Sequence, residues 1–207
     1  MLRNMLAKLP AGYEMKEIGG GFGTIRVSNG RGIAQKSGLT FVTGNGRFIM
    51  KVDYSKFELG VHLHGKVVID EGGHNKEITA QLEPDDNGEI PDVEKKTLEF
   101  FLDNYSEYTQ FLLEHIFEYY KESRDEWGAT EPDDKLFPEV KDKNKMYEMA
   151  SLHGFLVRDE AYSGKRTISL FYNCTWNEEE GMGIDISLGN TVSETKVVTI
   201  GTIGDVY

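Results

Sequence analysis

The first part of the chain alternates short apolar runs with glycine-containing turns, a pattern that extends from residue 13 to residue 82. The clearest turn is Gly44-Asn45-Gly46, which separates the apolar runs of residues 39–42 and 47–52. An Asn-Gly pair flanked by such runs is the strongest short-range signal for a β-hairpin. We therefore predict an N-terminal antiparallel β-meander, in which residues 1–56 form a β-rich extension packed on the rest of the chain.

The hydrophobic period changes after Ile90, where apolar residues begin to recur at helical spacing. Pro91 suits the first turn of a helix because its missing N–H is not needed there. A break near Asn104, with Ser106 capping a second helix, fits the pattern, and so does one long helix. We therefore predict a central helix or a helical hairpin.

The stretch from residue 106 to residue 122 carries apolar side chains around most of its helical circumference, with only a narrow polar stripe. A helix of this kind packs between other elements or lies at an interface. The flanking segments supply apolar partners such as Leu98, Leu102 and Met146. We therefore expect packing within one chain and a monomer, with a dimer formed through Phe117 and Tyr120 as the alternative.

Strand-like patterns return in the last third of the chain, at residues 155–158, 167–173, 182–188 and 194–200. The order β, then α, then β, with connections of hairpin length, favours an α+β fold with a mainly antiparallel sheet. C-terminal β-hairpins complete this fold. We assign residues 57–207 to one α+β domain that follows the N-terminal extension.

The composition narrows the range of partners. The chain has 207 residues, of which 35 are acidic and 23 are basic, and its formal net charge is −12. A net negative charge of this size repels phosphate backbones and anionic membrane surfaces, so we expect no nucleic-acid partner and no membrane partner. It would suit another protein with a basic surface. The single Cys174 forms no intrachain disulfide, and residues 1–10 lack the apolar core of a signal peptide. We therefore expect a cytoplasmic protein.

One C-terminal stretch stands out by its residue types. An apolar run ends at Cys174 and Trp176, meets three consecutive glutamates that begin at Glu178, and restarts through Gly181 and Gly183. This order predicts a strand, a tight acidic turn and a second strand. A tryptophan beside such a turn usually anchors it to the core, so we expect the Trp176 ring to be buried.

Three stretches of the chain resemble the sequence pattern of a known family. They are the acidic turn of residues 85–90, the helical stretch of residues 116–124, and the Cys-x-Trp-x-x-Glu-x-Gly-x-Gly-Ile motif of residues 174–184. In this order they resemble an uncharacterised bacterial family, a domain of unknown function, from about residue 57 onward. Glu180 stands where the family pattern has a histidine, and residues 202–205 replace a glutamine-aspartate close. The resemblance implies the fold, an intracellular location and a bacterial origin, but no catalytic residues.

The turn of residues 83–94 nearly follows the spacing of a Ca²⁺-binding loop. Oxygen ligands would come from Glu83, Asp85, Asn87 and Glu94, with Gly88 at the sharp bend. Two features count against calcium: the first ligand is a glutamate rather than an aspartate, and the preceding residues have a strand pattern. The alternative is a polar turn from a strand into a helix.

Histidines offer a second possible metal site. His62 and His64 alternate on a predicted strand, and His74 lies in the following turn, so three imidazoles could hold Zn²⁺. Asp70 could replace His74. No pair of these residues has zinc-finger spacing, and we expect no cofactor.

Nucleophilic catalysis would need a reactive thiol. Cys174 could pair with His153, but a cysteine two positions from a tryptophan is more often a core residue. We therefore predict a non-enzymatic protein-binding or accessory module, similar to an immunity protein, with an acidic surface. The alternatives are a metal-dependent hydrolase that uses His62 and His64, and a structural domain stabilised by calcium.

Overall fold

A computed structural model of the chain describes residues 13–18, 22–27, 40–44, 47–71, 74–158 and 166–206. Of residues 13–51 and of residue 74 it describes the backbone alone. The contacts within the chain divide it into two units, Met1–Lys56 and Phe57–Tyr207.

The described residues of the first unit form two strand pairs. β1 (Tyr13–Ile18) pairs with β2 (Phe22–Val27), and β3 (Thr40–Gly44) pairs with β4 (Arg47–Lys51); both pairs are antiparallel. Gly44 is the register partner of Arg47, so β3 and β4 join where the sequence predicts the Asn-Gly hairpin. A 3₁₀ turn, Tyr54–Lys56, ends this unit.

The second unit is built on one seven-stranded sheet with the spatial order β11-β10-β9-β8-β7-β6-β5. Its strands are β5 (Glu58–Leu59), β6 (Leu63–Glu71), β7 (His74–Leu82), β8 (Ala150–Arg158), β9 (Thr167–Cys174), β10 (Asn177–Ser187) and β11 (Lys196–Gly201). Neighbouring strands are antiparallel except β7 and β8, which run parallel. The predicted α+β class with a mainly antiparallel sheet is confirmed, but the parallel pair needs a long crossover rather than a hairpin.

The helices of this crossover are α1 (Asp92–Asp103), α2 (Tyr105–Glu126) and the short α3 (Met146–Met149). Asn104 separates the first two: its Nδ2 donates to the Phe100 carbonyl at 2.8 Å, and its own carbonyl accepts from the Glu107 N–H at 3.0 Å. The prediction that Ser106 caps the second helix is wrong, because Asn104 already stands at the break and Ser106 lies inside α2.

The core lies between the sheet and the two long helices. Strand β6 alternates buried and exposed residues, with Val67 and Ile69 fully buried on the helix-covered face. On that face the Phe101 ring of α1 meets the Phe155 ring of β8 edge-on, with 5.3 Å between the ring centroids. Helix α2 buries one side through Leu112 and other apolar residues, while Phe111, Phe117 and Tyr119 on its flanks are half-buried. Packing within the chain therefore covers one side of α2, and the expectation of a monomer stays a prediction.

The opposite face of the sheet is covered only in part. His64, Lys66 and Asp70 of β6 are exposed there, whereas the one-turn helix α4 (Ile203–Val206) lies across β9 and β10. Both faces of the central strands are therefore buried, and β9 reads as a nearly continuous apolar run instead of an alternating one. Within the part of the chain that the structure describes, no helix has the length and apolar character needed to cross a membrane.

Candidate functional site

The strand geometry keeps the predicted zinc ligands apart. His62 lies in the bend before β6, not on the strand, and His64 is exposed near the start of the strand. Asp70 lies six residues further along β6, which at about 3.3 Å per residue corresponds to roughly 20 Å. The backbone of His74 pairs with Glu71 at the same distant end, while the His74 side chain lies outside the described residues. Among the described residues, no three His, Cys, Asp or Glu side chains are grouped so that they could hold a metal ion.

The turn of residues 83–94 is closed by its own backbone. The Asp85 Oδ1 accepts N–H groups from Asn87 at 2.8 Å and from Glu89 at 2.9 Å, and these bonds lower the pKa of Asp85. Gly88 has φ +78°, the left-handed conformation that glycine adopts readily. Glu94 is 1% exposed within the first turn of α1, whereas Asp85 is exposed. The two carboxylates of the predicted calcium loop therefore lie in different environments.

The structure separates Cys174 from His153. The His153 ring lies 6.3 Å from the Phe171 ring, measured between centroids, and Phe171 and Cys174 are three positions apart on β9. Because side chains alternate along a strand, Phe171 and Cys174 face opposite sides of the sheet. The His153 ring lies on the side of Phe171, away from Cys174. Cys174 is 4% exposed, its Sγ donates to the Asn177 carbonyl at 3.5 Å, and burial raises the pKa of the thiol. Cys174 is therefore a core residue.

The C-terminal motif places its tryptophan in the core. Trp176 is 6% exposed, and its ring meets the Tyr120 ring of α2 edge-on at 5.0 Å between centroids. The prediction of an acidic turn is wrong. Cys174 pairs with Asn177, so the turn consists of the two residues between them, and Glu178 and the next two glutamates lie exposed on β10.

A small cavity lies between the helices and one end of the sheet. Glu71 and the tyrosines Tyr105, Tyr147 and Tyr172 contribute to its lining, and its volume is about 20 Å³. The Glu71 Oε2 accepts a hydrogen bond from the Lys76 Nζ at 2.7 Å. Burial and the nearby Glu71 charge raise the pKa of all three tyrosines, which keeps the phenols neutral. This volume suits one water molecule, whereas pockets for organic ligands measure roughly 300–1,000 Å³.

The segment that follows α2 presents exposed apolar side chains. Trp127 is 74% exposed and Leu136 is 55% exposed, although both belong to residue types that usually pack inside. The ring of the buried Phe137 lies 5.9 Å from the Trp127 ring, measured between centroids. We call Trp127 and Leu136 the Trp127 surface.

Side chains of α2 fix the backbone beneath this surface. The Arg124 Nε donates to the Phe137 carbonyl at 3.0 Å, and its Nη2 donates to the Glu131 carbonyl at 2.9 Å. The Tyr120 hydroxyl donates to the Pro138 carbonyl at 2.5 Å. These bonds tie the segment to the helix at three carbonyl groups.

A second set of contacts orders the segment from within. The Asp134 Oδ1 accepts the N–H groups of Leu136 at 2.9 Å and Phe137 at 2.7 Å. The Phe137 ring also lies 6.0 Å from the Tyr120 ring, which in turn contacts Trp176 in the core. Trp127 is therefore an exposed residue on a backbone that is anchored to the interior.

The charge around the Trp127 surface is predominantly acidic. Residues 122–139 contain seven acidic and two basic residues. One of the two basic residues, Arg124, donates to carbonyl groups of the segment. Trp127 was not among the residues predicted from the sequence to be functional. Its sequence signal is its position between Glu126 and Gly128, beyond the apolar stripe of α2.

The chain matches, over residues 51–201, the family described as "Domain of unknown function (DUF6985)". This match covers more than half of the chain, and the chain belongs to that family. The predicted resemblance to an uncharacterised domain family is thereby confirmed. No curated protein and no solved structure matches the chain.

Proposed function

We propose that this member of the DUF6985 family is a non-enzymatic protein-binding module whose Trp127 surface takes a basic partner segment with an apolar anchor. The observation that carries the proposal is the 74% exposure of Trp127 on a backbone held by Arg124, Tyr120 and Asp134. A bacterial, cytoplasmic accessory role similar to that of an immunity protein is part of this proposal.

Interface energetics support this choice of surface. A few residues carry most of the binding energy of a protein interface, and tryptophan is among the residue types most enriched in that role. The backbone hydrogen bonds order the segment before binding, which lowers the entropy cost of association. The acidic residues around Trp127 would speed the encounter with a basic partner. Together these features match an apolar anchor point with a charged rim.

The remaining chemistry favours binding over catalysis. The cavity beside Glu71 has a volume of about 20 Å³, far below that of an ordinary substrate pocket. The Cys174 thiol is buried, and burial raises its pKa, so it is a poor nucleophile. The hydrolase alternative that uses His62 and His64 gains no support from the strand, because His64 and Asp70 lie about 20 Å apart.

The test uses a defined probe, a short peptide that alternates lysine and leucine, and a matched peptide with glutamate in place of lysine. Titration by NMR should show binding of the lysine peptide, with shifts centred on residues 120–139. Trp127→Ala should weaken binding about 30-fold, the effect of removing an anchor worth about 2 kcal/mol. Raising the salt concentration should weaken binding further, because charge contributes to it.

A matched control comes from an edge strand of the sheet. Val198 is 62% exposed on the edge strand β11, so Val198→Ala removes an exposed apolar side chain away from the Trp127 surface. That variant should bind the lysine peptide with unchanged affinity. Equal binding of the glutamate peptide, or equal weakening by both substitutions, would rule out a specific acidic docking surface.

A further inference from the structure

The indole ring of Trp127 is open to solvent on at least one face. Its plane is inclined by 30° to the ring of Phe137, with 5.9 Å between the two centroids. Phe137 is 3% exposed, whereas Trp127 is 74% exposed. A contact that leaves most of the indole exposed does not cover both of its faces, so at least one face is free to meet a partner.

The end of α2 holds the backbone of Trp127 in a closed turn. The Trp127 N–H donates to the Ser123 carbonyl at 3.0 Å, and the Ala129 N–H reaches back to the Arg124 carbonyl at 3.1 Å. Gly128 has φ +68°, the left-handed conformation that ends many helices. The ring is therefore carried by an ordered helix end, where the helix dipole is negative.

Several carboxylates lie close to Trp127 in the chain. Glu122, Asp125 and Glu126 of α2 and Glu131 after it are all exposed. Within the part of the chain that the structure describes, none of these four carboxylates makes an ion pair. The neighbouring Arg124 guanidinium donates to backbone carbonyl groups instead. The surroundings of the open indole face therefore attract a positive group.

Aromatic rings elsewhere in this chain already hold cations. The Arg166 guanidinium carbon lies 4.9 Å from the centroid of the Phe100 ring, and the Lys121 Nζ lies 4.8 Å from that of the Phe117 ring. A cation over a ring face is attracted by the ring quadrupole, and tryptophan gives the strongest contact of this kind. The open indole and the carboxylates around it therefore attract one positive group for two independent reasons.

We propose that the Trp127 surface recognises an arginine side chain of its partner, whose guanidinium stacks on the open face of Trp127 and donates to the neighbouring carboxylates. This inference rests on the proposed function and names the chemical group that the surface binds. A guanidinium is planar and weakly hydrated, so it stacks on a ring while its edge still donates to carboxylates. A lysine ammonium is compact and strongly hydrated, so it satisfies the charge but does not stack. The apolar anchor of the partner packs beside this contact, on Leu136.

Two peptides of equal length and charge test the choice of arginine. One alternates arginine with leucine, the other alternates lysine with leucine, and each is titrated into the full chain by calorimetry at about 0.15 M salt. The arginine peptide should bind about fivefold more tightly, which is the size of a cation–π contact at an exposed site. In NMR spectra of the complex, the arginine δ-methylene protons should shift upfield, because they lie over the indole ring.

Trp127→Leu is the matched variant, because it keeps an apolar side chain at the helix end and removes the aromatic face. It should bind the two peptides with equal affinity, whereas Trp127→Phe should retain part of the preference for arginine. Since Trp127 is 74% exposed, neither substitution removes core packing.

The outcomes separate the arginine contact from the proposed function. Equal affinity of the unchanged chain for the two peptides, or an arginine preference that Trp127→Leu leaves intact, would overturn the arginine contact while the docking surface stands. Absence of binding by both peptides would overturn the docking surface and the arginine contact together.

Discussion

Replacing Trp176 by alanine tests how the second unit is held together. The Trp176 side chain is 6% exposed, follows the end of β9 and meets the Tyr120 ring of α2 at 5.0 Å between centroids. It therefore links the β9–β10 turn to the long helix. Trp176→Ala removes this link and leaves a void that the surrounding side chains can fill only in part.

The size of the expected loss in unfolding free energy follows from the buried area of Trp176 and from its ring contact. An aromatic side chain buries about 200 Å², which at about 25 cal/mol per Å² corresponds to roughly 5 kcal/mol as an upper limit. Measured losses for Trp→Ala in cores are about 3–5 kcal/mol. The edge-to-face contact with Tyr120 should account for about 0.5–1.5 kcal/mol of this loss, measurable as the coupling term of a double-mutant cycle.

Urea unfolding followed by far-UV circular dichroism measures the loss directly. A loss of 3–5 kcal/mol should also lower the midpoint of thermal unfolding by about 6 to 20 °C for a chain of this size. Trp127→Ala is the control, because the Trp127 side chain is 74% exposed. This variant should lower the free energy of unfolding by less than about 1 kcal/mol. A loss below about 1 kcal/mol for Trp176→Ala would contradict the packing described here.

Three further predictions follow from the same structure. Gly183→Ala should lower the free energy of unfolding by about 1–3 kcal/mol, because the added methyl group overpacks against α4. Gly204→Ala should leave it nearly unchanged in urea unfolding, because the nearest atom lies 3.7 Å from the added Cβ. Partial loss of solvation and the positive charge of Lys76 hold the pKa of the exposed His153 below its usual 6.5. The unfolded chain therefore takes up the proton first, and stability falls as the pH drops below that value. His153→Gln should flatten this dependence in thermal melts recorded at a series of pH values. Added calcium should leave the melting temperature unchanged within about 1 °C, and elemental analysis should find no stoichiometric transition metal. A rise in melting temperature with calcium that Asp85→Ala abolishes would support the calcium loop instead.

Local patterns in the sequence predicted the features that depend on neighbouring residues. The change of hydrophobic period after Ile90 located the helices, and the return of strand patterns after residue 155 indicated an α+β fold. The burial of Trp176 was also predicted, because a tryptophan beside a tight turn has an apolar surface to cover. Each of these inferences uses only the spacing and type of residues that are close in the chain.

Other features depend on pairings between distant segments, which no local pattern specifies. The parallel pairing of Thr79 with Gly154 joins residues from opposite sides of the helical crossover, so it cannot be inferred from either strand alone. The reason for Gly181 and Gly183 is likewise not local. The sequence pattern predicted only that a second strand restarts through these glycines, whereas the structure shows that Ile203 and Val206 of α4, some twenty residues later, lie where a Cβ on each glycine would be.

The exposed Trp127 shows the same division between local and tertiary information. Its sequence neighbours indicated only a helix end followed by an acidic loop, and a tryptophan there has a strong prior tendency to be buried. In the structure Phe137, from the far end of the loop, is the buried aromatic residue beside Tyr120, while Trp127 remains exposed. The sequence alone determined the elements and much of the core, because these follow from local periodicity. The tertiary structure decided which apolar side chains remained outside, because two segments that are distant in the chain compete for one place in the core.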